Sequence, residues 1–141
     1  MPFHTILIPT DCSSSAEAGV QQALAFAARE QAHVLLLHVL PSPFVQGTEE
    51  TLQAHAEHWL QTVARHAEVP VQTLVAWGTP GAEICRVATN HQCDLIAMGT
   101  HGYTGVVLDR IGSVADYVIR QAPCPVLILR TAHAGLGQVG P

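Results

Sequence analysis

Apolar residues along the chain fall into two rhythms that take turns. Runs rich in apolar residues occupy Thr5 to Ile8, His33 to Leu40, Val69 to Trp77, Leu95 to Met98 and Pro125 to Leu129, the pattern of strands, the first of them covered on both faces and Leu95 to Met98 buried. Proline punctuates them. Pro9 stops the first run, Pro41-Ser42-Pro43 ends the second, and Pro70 confines the third to its first turn or to a sheet edge. Between the runs the period changes to that of a helix. Val20, Ala23, Leu24 and Ala27 share one stripe beyond the cap-rich stretch Thr10 to Ser15. Leu52, Ala56, Trp59, Leu60 and Val63 mark the buried side of a long second helix. It is reached through a loop from Phe44 to Gly47, capped by Thr48 and opened by Glu49 and Glu50. A third helix starts at Gly78-Thr79-Pro80-Gly81, with Thr79 as cap, Pro80 in the first helical position, and Ile84, Val87 and Ala88 facing inward. A fourth opens at Gly112-Ser113, with Ala115, Ile119 and Ala122 on one face and Val114 and Val118 together on another.

Strands alternating with helices predict an α/β fold, a single-domain three-layer αβα sandwich over residues 1–130 around a five-stranded parallel sheet. Right-handed crossovers with one reversal of direction lead to the strand order 3-2-1-4-5. The reversal then lies between the first and fourth strands, and ligands of open α/β sheets bind beyond the carboxyl ends of the strands at such a point. Those ends are Pro9-Thr10-Asp11 and the loop beginning at Gly99. Residues 131–141, rich in glycine and small side chains, are expected to form a flexible tail. The sequence shows no internal repeat.

Composition narrows the chemistry. The chain has 141 residues, 48% hydrophobic and 12% charged, enough to bury a substantial core. Its net charge is -5, and its 6 basic residues are all arginine. An acidic, lysine-free chain lacks the basic patches of nucleic-acid binding and the lysine of a Walker-type P-loop. The acid cluster plus lysine of a receiver-type phosphotransfer site is missing as well. The 4 cysteines form no C-x-x-C pair and no disulfide framework, and no apolar stretch is long enough to cross a bilayer. A reducing cytoplasm, with no signal peptide and no membrane partner, is therefore the expected setting. Most of the thiols read as buried and structural, with Cys12 expected to be more exposed because it follows the first strand at the presumed ligand face.

The 9 histidines invite a metal reading, since His55, His58 and His66 fall on roughly one side of the second helix. No cysteine or acid stands at ligand spacing beside them, so a solvated polar face is the reading adopted and no metal site is assigned. No Ser/His/Asp or paired-carboxylate pattern appears either, and no catalytic residue is assigned.

The fourth strand, the loop after it and the helix opening at Gly112-Ser113 make a candidate anion site. Glycines allow backbone N–H groups to approach an oxyanion closely, and the first turn of a helix offers unpaired N–H groups at the positive end of its dipole. Ser113 has a local alternative, because with Asp116 it spells a Ser-x-x-Asp capping box that needs no ligand. Asp11 has one too, an Asx turn or a cap for the first helix. On local chemistry both readings stay open at both residues, and His101 within the loop is equally open between phosphate contact and turn residue.

The spacing Gly99-x2-Gly102-x9-Gly112-Ser113 resembles the nucleotide-binding signature of the universal stress protein family, in its ATP-binding branch. The opening Ile6-Leu-Ile-Pro-Thr-Asp11, the segment Met98-Gly-Thr-His-Gly102 and the closing Ala122-Pro-Cys-Pro-Val-Leu-Ile-Leu-Arg130 resemble the same family, so the likeness runs from the first strand to Arg130. The resemblance implies adenine-nucleotide contacts at Pro9, Thr10 and Asp11, at Val39 near the end of the second strand, and at Gly99, Gly102, Gly112, Ser113 and Val114. It implies ATP as ligand, with Ser113 donating to a phosphate or helping to hold Mg²⁺. It further implies a homodimer joined through the fifth strands. Tyr103 departs from the pattern, standing where many members carry a basic residue, which leaves Arg110 the nearest fixed positive charge. The expected function is a nucleotide-dependent signalling or protective module. The alternatives are a slow ATP hydrolase or phosphotransferase, and a nucleotide-free dimeric interaction protein.

Overall fold

A computed structural model describes residues 2–41, 49–99 and 112–130. Ten elements follow in chain order: β1 (Thr5–Pro9), a 3-10 turn (Ser14–Ala16), α1 (Glu17–Glu30), β2 (His33–Leu40), α2 (Glu49–Arg65), β3 (Val71–Trp77), α3 (Pro80–Asn90), β4 (Leu95–Gly99), α4 (Ser113–Gln121) and β5 (Val126–Leu129). The sheet is five-stranded with the order β3-β2-β1-β4-β5, every pairing parallel. The predicted order and its reversal between β1 and β4 are both present.

Alternation along the buried strands builds two cores. Ile6, Ile8, Val34, Leu36, Leu95 and Ala97 pack with Val20, Ala23, Leu24 and Ala27 of α1 and Leu60 and Val63 of α2. Leu7, Leu35, Leu37, Val39, Ile96 and Met98 turn to the other face, against Ile84, Val87 and Ala88 of α3 and Ala115 and Val118 of α4. Two helices therefore cover each face of the sheet, which is why β1, β2 and β4 read as unbroken apolar runs rather than alternating ones. Among the described residues no helix is long and apolar enough to cross a membrane.

Four expectations need correction. The third strand starts at Val71, not Val69, because Pro70 has no N–H for the ladder, although its carbonyl accepts from Val34 N at 2.9 Å. Leu52 is exposed on α2, where Ala56, Leu60 and Val63 are buried and Trp59 partly so. Leu52 stands a turn before that stripe, near the start of the helix. Ile119 is exposed and Val118 fully buried, so α4 buries Ala115 from one predicted stripe and Val118 from the other, not Ala115 with Ile119. Helix periodicity allowed either stripe, and packing on the sheet buried the ridge between them. Thr79 stands at the N-cap of α3 and Pro80 in its first turn, as expected, but the Thr79 side chain makes no capping bond. The loop from Phe44 to Gly47, its cap Thr48, and residues 131–141 lie outside the described residues.

Candidate functional site

The sheet comes apart on both sides of β1 at its carboxyl end, and each parting has a local cause. Peptide groups along a parallel strand point alternately to its two neighbours. Thr10 N–H bonds the Leu37 carbonyl at 2.8 Å, so even-numbered β1 positions face β2, while the Thr5 carbonyl accepts from Asp94 N and odd positions face β4. Pro9 is an odd position. The amide that would carry the β1–β4 ladder forward is the one it lacks, and the pairing ends at Leu7 with Ile96. On the other side Thr10 N–H to Leu37 O is the last β1–β2 bond among the described residues. The Thr10 carbonyl, which would accept next from Val39 N–H, is held instead by His38 Nδ1 at 2.8 Å. A carbonyl only accepts, so Nδ1 carries the proton.

Beyond this parting the chain is held tightly. Thr10 is buried, and its Oγ1 accepts from Cys12 N at 3.1 Å. Asp11 Oδ1 accepts from Ser13 N at 2.9 Å and from Ser13 Oγ at 2.5 Å. Ser13 in turn caps the 3-10 turn through Ala16 N. The Asx turn at Asp11 is thus formed, and it leaves the second carboxylate oxygen to serve another partner. Cys12 has a left-handed backbone, φ 63°, uncommon for a side chain other than glycine, asparagine or aspartate. Three side-chain-to-backbone bonds around it stabilise that conformation. Burial, with the Asp11 charge as the lesser cause, pushes its thiol up to about 12. Burial also raises Cys93, to about 11, and Cys85 and Cys124. Cys12 is half-buried, as are Cys85 and Cys124, while Cys93 is buried, and Cys12 packs against the first core.

Across the crevice, β4 ends at Gly99 and α4 begins at Ser113 with Gly112 as N-cap. Among the described residues no side chain caps α4. Asp116 N bonds back to Gly112 O at 2.9 Å, and the Asp116 carboxylate is paired with Arg120 at 3.1 Å instead of returning to Ser113. The capping-box alternative for Ser113 is therefore overturned, because Gly112 takes the N-cap and Ser113 is already the first helical residue. Ser113 is exposed, Val114 is half-buried against the second core, and both lie in the first turn, whose amides have no carbonyl within the helix. Neither Gly99 nor Gly112 has a left-handed backbone; Gly112 sits at φ -64°.

Of the residues read from the sequence, Pro9, Thr10, Asp11 and Val39 converge at the parted end of β1 and β2, while Gly99 and Gly112-Ser113-Val114 end β4 and begin α4. Val39 is also a buried core side chain, so any contact from this position runs through its peptide group, which faces β1. Gly102, His101, Tyr103 and Arg110 lie outside the described residues. Among the described residues no three His, Cys, Asp or Glu side chains converge to hold a metal ion, and His66 Nδ1 bonds the Thr62 carbonyl at 2.8 Å. His38 was not singled out from the sequence, although a signal was present. A histidine inside an otherwise apolar buried strand must find a hydrogen-bond partner, and the nearest candidates are the ends of neighbouring strands.

A model of the universal stress protein family matches residues 2–130. A universal stress protein of Methanocaldococcus jannaschii is 35% identical, the match covering 91% of this chain and 82% of the relative. The solved structure of universal stress protein UspA from Lactobacillus plantarum superposes with a TM-score of 0.76 at 29% identity, covering 92% of this chain and 99% of that one. A universal stress protein from Archaeoglobus fulgidus, solved in complex with dAMP, shares the fold with a TM-score of 0.66 at 24% identity, over 91% of this chain and 98% of that one.

Proposed function

The chain belongs to the universal stress protein family, and from that premise we propose that it binds an adenine nucleotide, ATP with Mg²⁺, at the carboxyl ends of β1 and β4. The observation that carries this reading is the parting of the sheet on both sides of β1 at the topological switch point. It leaves off the ladder a peptide group able to read a base, and α4 supplies first-turn amides for phosphate. The complex of the Archaeoglobus fulgidus relative with dAMP supports the nucleotide class.

In this reading the Val39 peptide meets the adenine edge. Pro9 and Thr10 wall the base, and Asp11 reaches the ribose or the adenine amino group. Gly99 and Gly102 leave room for phosphate against the backbone, and the amides of Gly112, Ser113 and Val114 hold the distal phosphates. The donor set fits a polyphosphate, since it consists of backbone N–H groups and a hydroxyl rather than cationic side chains. Ser113 is also the side chain that would reach Mg²⁺, which would neutralise phosphate charge. The function is a bound-state signal in the cytoplasm, delivered by a homodimer joined through β5, an apolar edge strand that needs covering.

Mass spectrometry of the small molecule that copurifies with the protein, followed by equilibrium dialysis with Mg-ATP, tests the proposal. Retention of an adenine nucleotide, lost in a folded Gly112→Val variant, is the expected result. No retention at millimolar ATP overturns it. Linear product formation that disappears with Ser113→Ala at unchanged binding would replace it with a slow hydrolase.

A further inference from the structure

We infer that His38 is a positioning residue of the nucleotide site, holding the Thr10 carbonyl away from Val39 and so keeping the β2 peptide that meets the base unpaired. The inference rests on the nucleotide reading above and adds to it the device that prevents the site from closing on itself.

Parallel pairing is regular, and β1 and β2 keep one register from Thr5 opposite His33 to Pro9 opposite Leu37. One more step would join Val39 N–H to the Thr10 carbonyl. Thr10 N–H already bonds Leu37 O at 2.8 Å, so this next bond lies within easy reach of the ladder. If it formed, the Val39 amide would be consumed and the crevice beside β1 would shorten by one residue pair.

His38 competes for the same acceptor. It lies on β2 with only 8% of its surface exposed, its side chain on the face shared by Leu36 and Val34, and its Nδ1–H reaches Thr10 O at 2.8 Å. A buried imidazole without a partner would be destabilising, so two needs meet in one bond: the ring is satisfied, and the carbonyl, whose second lone pair could still accept, is held in a position where Val39 N–H does not bond it. The same bond anchors Thr10 directly before Asp11, whose carboxylate is oriented by Ser13. Pro9 opens the β4 side by lacking a donor; His38 opens the β2 side by supplying a competing one.

The test compares wild type with His38→Leu, which fills the buried volume without a donor, and His38→Asn, which keeps a donor near the place of Nδ1. Amide hydrogen exchange of Val39 is followed in nucleotide-free protein, and affinities are measured for Mg-ATP and for tripolyphosphate, which lacks base and ribose. Expected is a rapidly exchanging Val39 amide in wild type that becomes protected in His38→Leu. ATP affinity of the Leu variant should fall about tenfold, the equivalent of one hydrogen bond, with tripolyphosphate affinity unchanged. His38→Asn should restore ATP binding to within about threefold of wild type. A Val39 amide already protected in wild type, equal losses for ATP and tripolyphosphate, or no rescue by asparagine overturns the role of His38. Should His38→Leu fail to fold, the wild-type exchange pattern and the asparagine variant still decide. Wild-type protein that binds no ATP overturns the nucleotide reading itself, whereas an ATP-binding wild type matched by His38→Leu overturns only the inference about His38.

Discussion

Two glycines separate a requirement of the fold from room left for a ligand. Gly78 has φ 145°, and a Cβ there would stand 3.0 Å from Glu83 Cγ. Gly78→Ala should therefore lower stability by about 1–2 kcal/mol, read as a shift in the denaturant midpoint. Gly99 has an ordinary backbone, and among the described residues a Cβ would meet only the Leu129 carbonyl, at 3.9 Å. Nothing among the described residues asks for glycine at that position. Gly99→Ala is expected to change stability by less than about 0.5 kcal/mol while weakening ATP binding about tenfold, measured by titration calorimetry on the folded variant. Cys12 marks the same loop by its titration. Its thiol, held up to about 12 against an ordinary 9.0, favours the protonated form in the folded state. That contribution is whole below pH 9 and drains away as pH rises towards 12, so the melting temperatures of wild type and Cys12→Ala should approach one another above pH 9.

At the scale of elements, α4 is placed by its neighbour α3. A Cβ on Gly81 would lie 2.6 Å from Tyr117 Cδ1 and 2.9 Å from its Cγ, near the root of the ring rather than its flexible end. Relief therefore requires α4 to move, and its first turn carries Ser113 and Val114. Gly81→Ala should cost about 1–3 kcal/mol and weaken nucleotide binding without touching the site. Tyr117→Ala in the same chain should recover most of both losses, a coupling that a double-mutant cycle of stabilities and affinities would measure. Periodicity predicted that α4 exists and where it begins. It could not choose between the Ala115–Ile119–Ala122 and Val114–Val118 faces, because a helix of nine residues fits either, and packing buries the ridge between them, Ala115 with Val118.

For the molecule as a whole, the open edge at β5 bears on assembly. All four of its residues, Val126 to Leu129, are apolar and only half-buried, Leu127 and Leu129 against one core and Val126 and Ile128 against the other. The proposed dimer covers this edge. Light scattering should return twice the chain mass of 15.0 kDa for wild type and the single mass for Ile128→Lys, with far-ultraviolet dichroism unchanged. A monomeric wild type would remove the dimer while leaving the crevice reading intact.

Local patterning was enough for the α/β class, the strand order and the position of the crevice. Continuous apolar runs, helix periods and prolines act over a few residues, and the right-handed crossover rule converts their sequence into one topology. That Pro9, Asp11, Gly99 and Ser113 stand at or beside the ends of strands and helices was legible for the same reason. Which hydrogen bond each residue makes was not legible. Asp116 turns to Arg120 rather than Ser113, and Asp11 closes on Ser13. His38 takes the Thr10 carbonyl, 28 residues away along the chain. Such choices follow from competition among donors and acceptors that only folding brings within 3 Å of each other, and no short-range pattern encodes the winner.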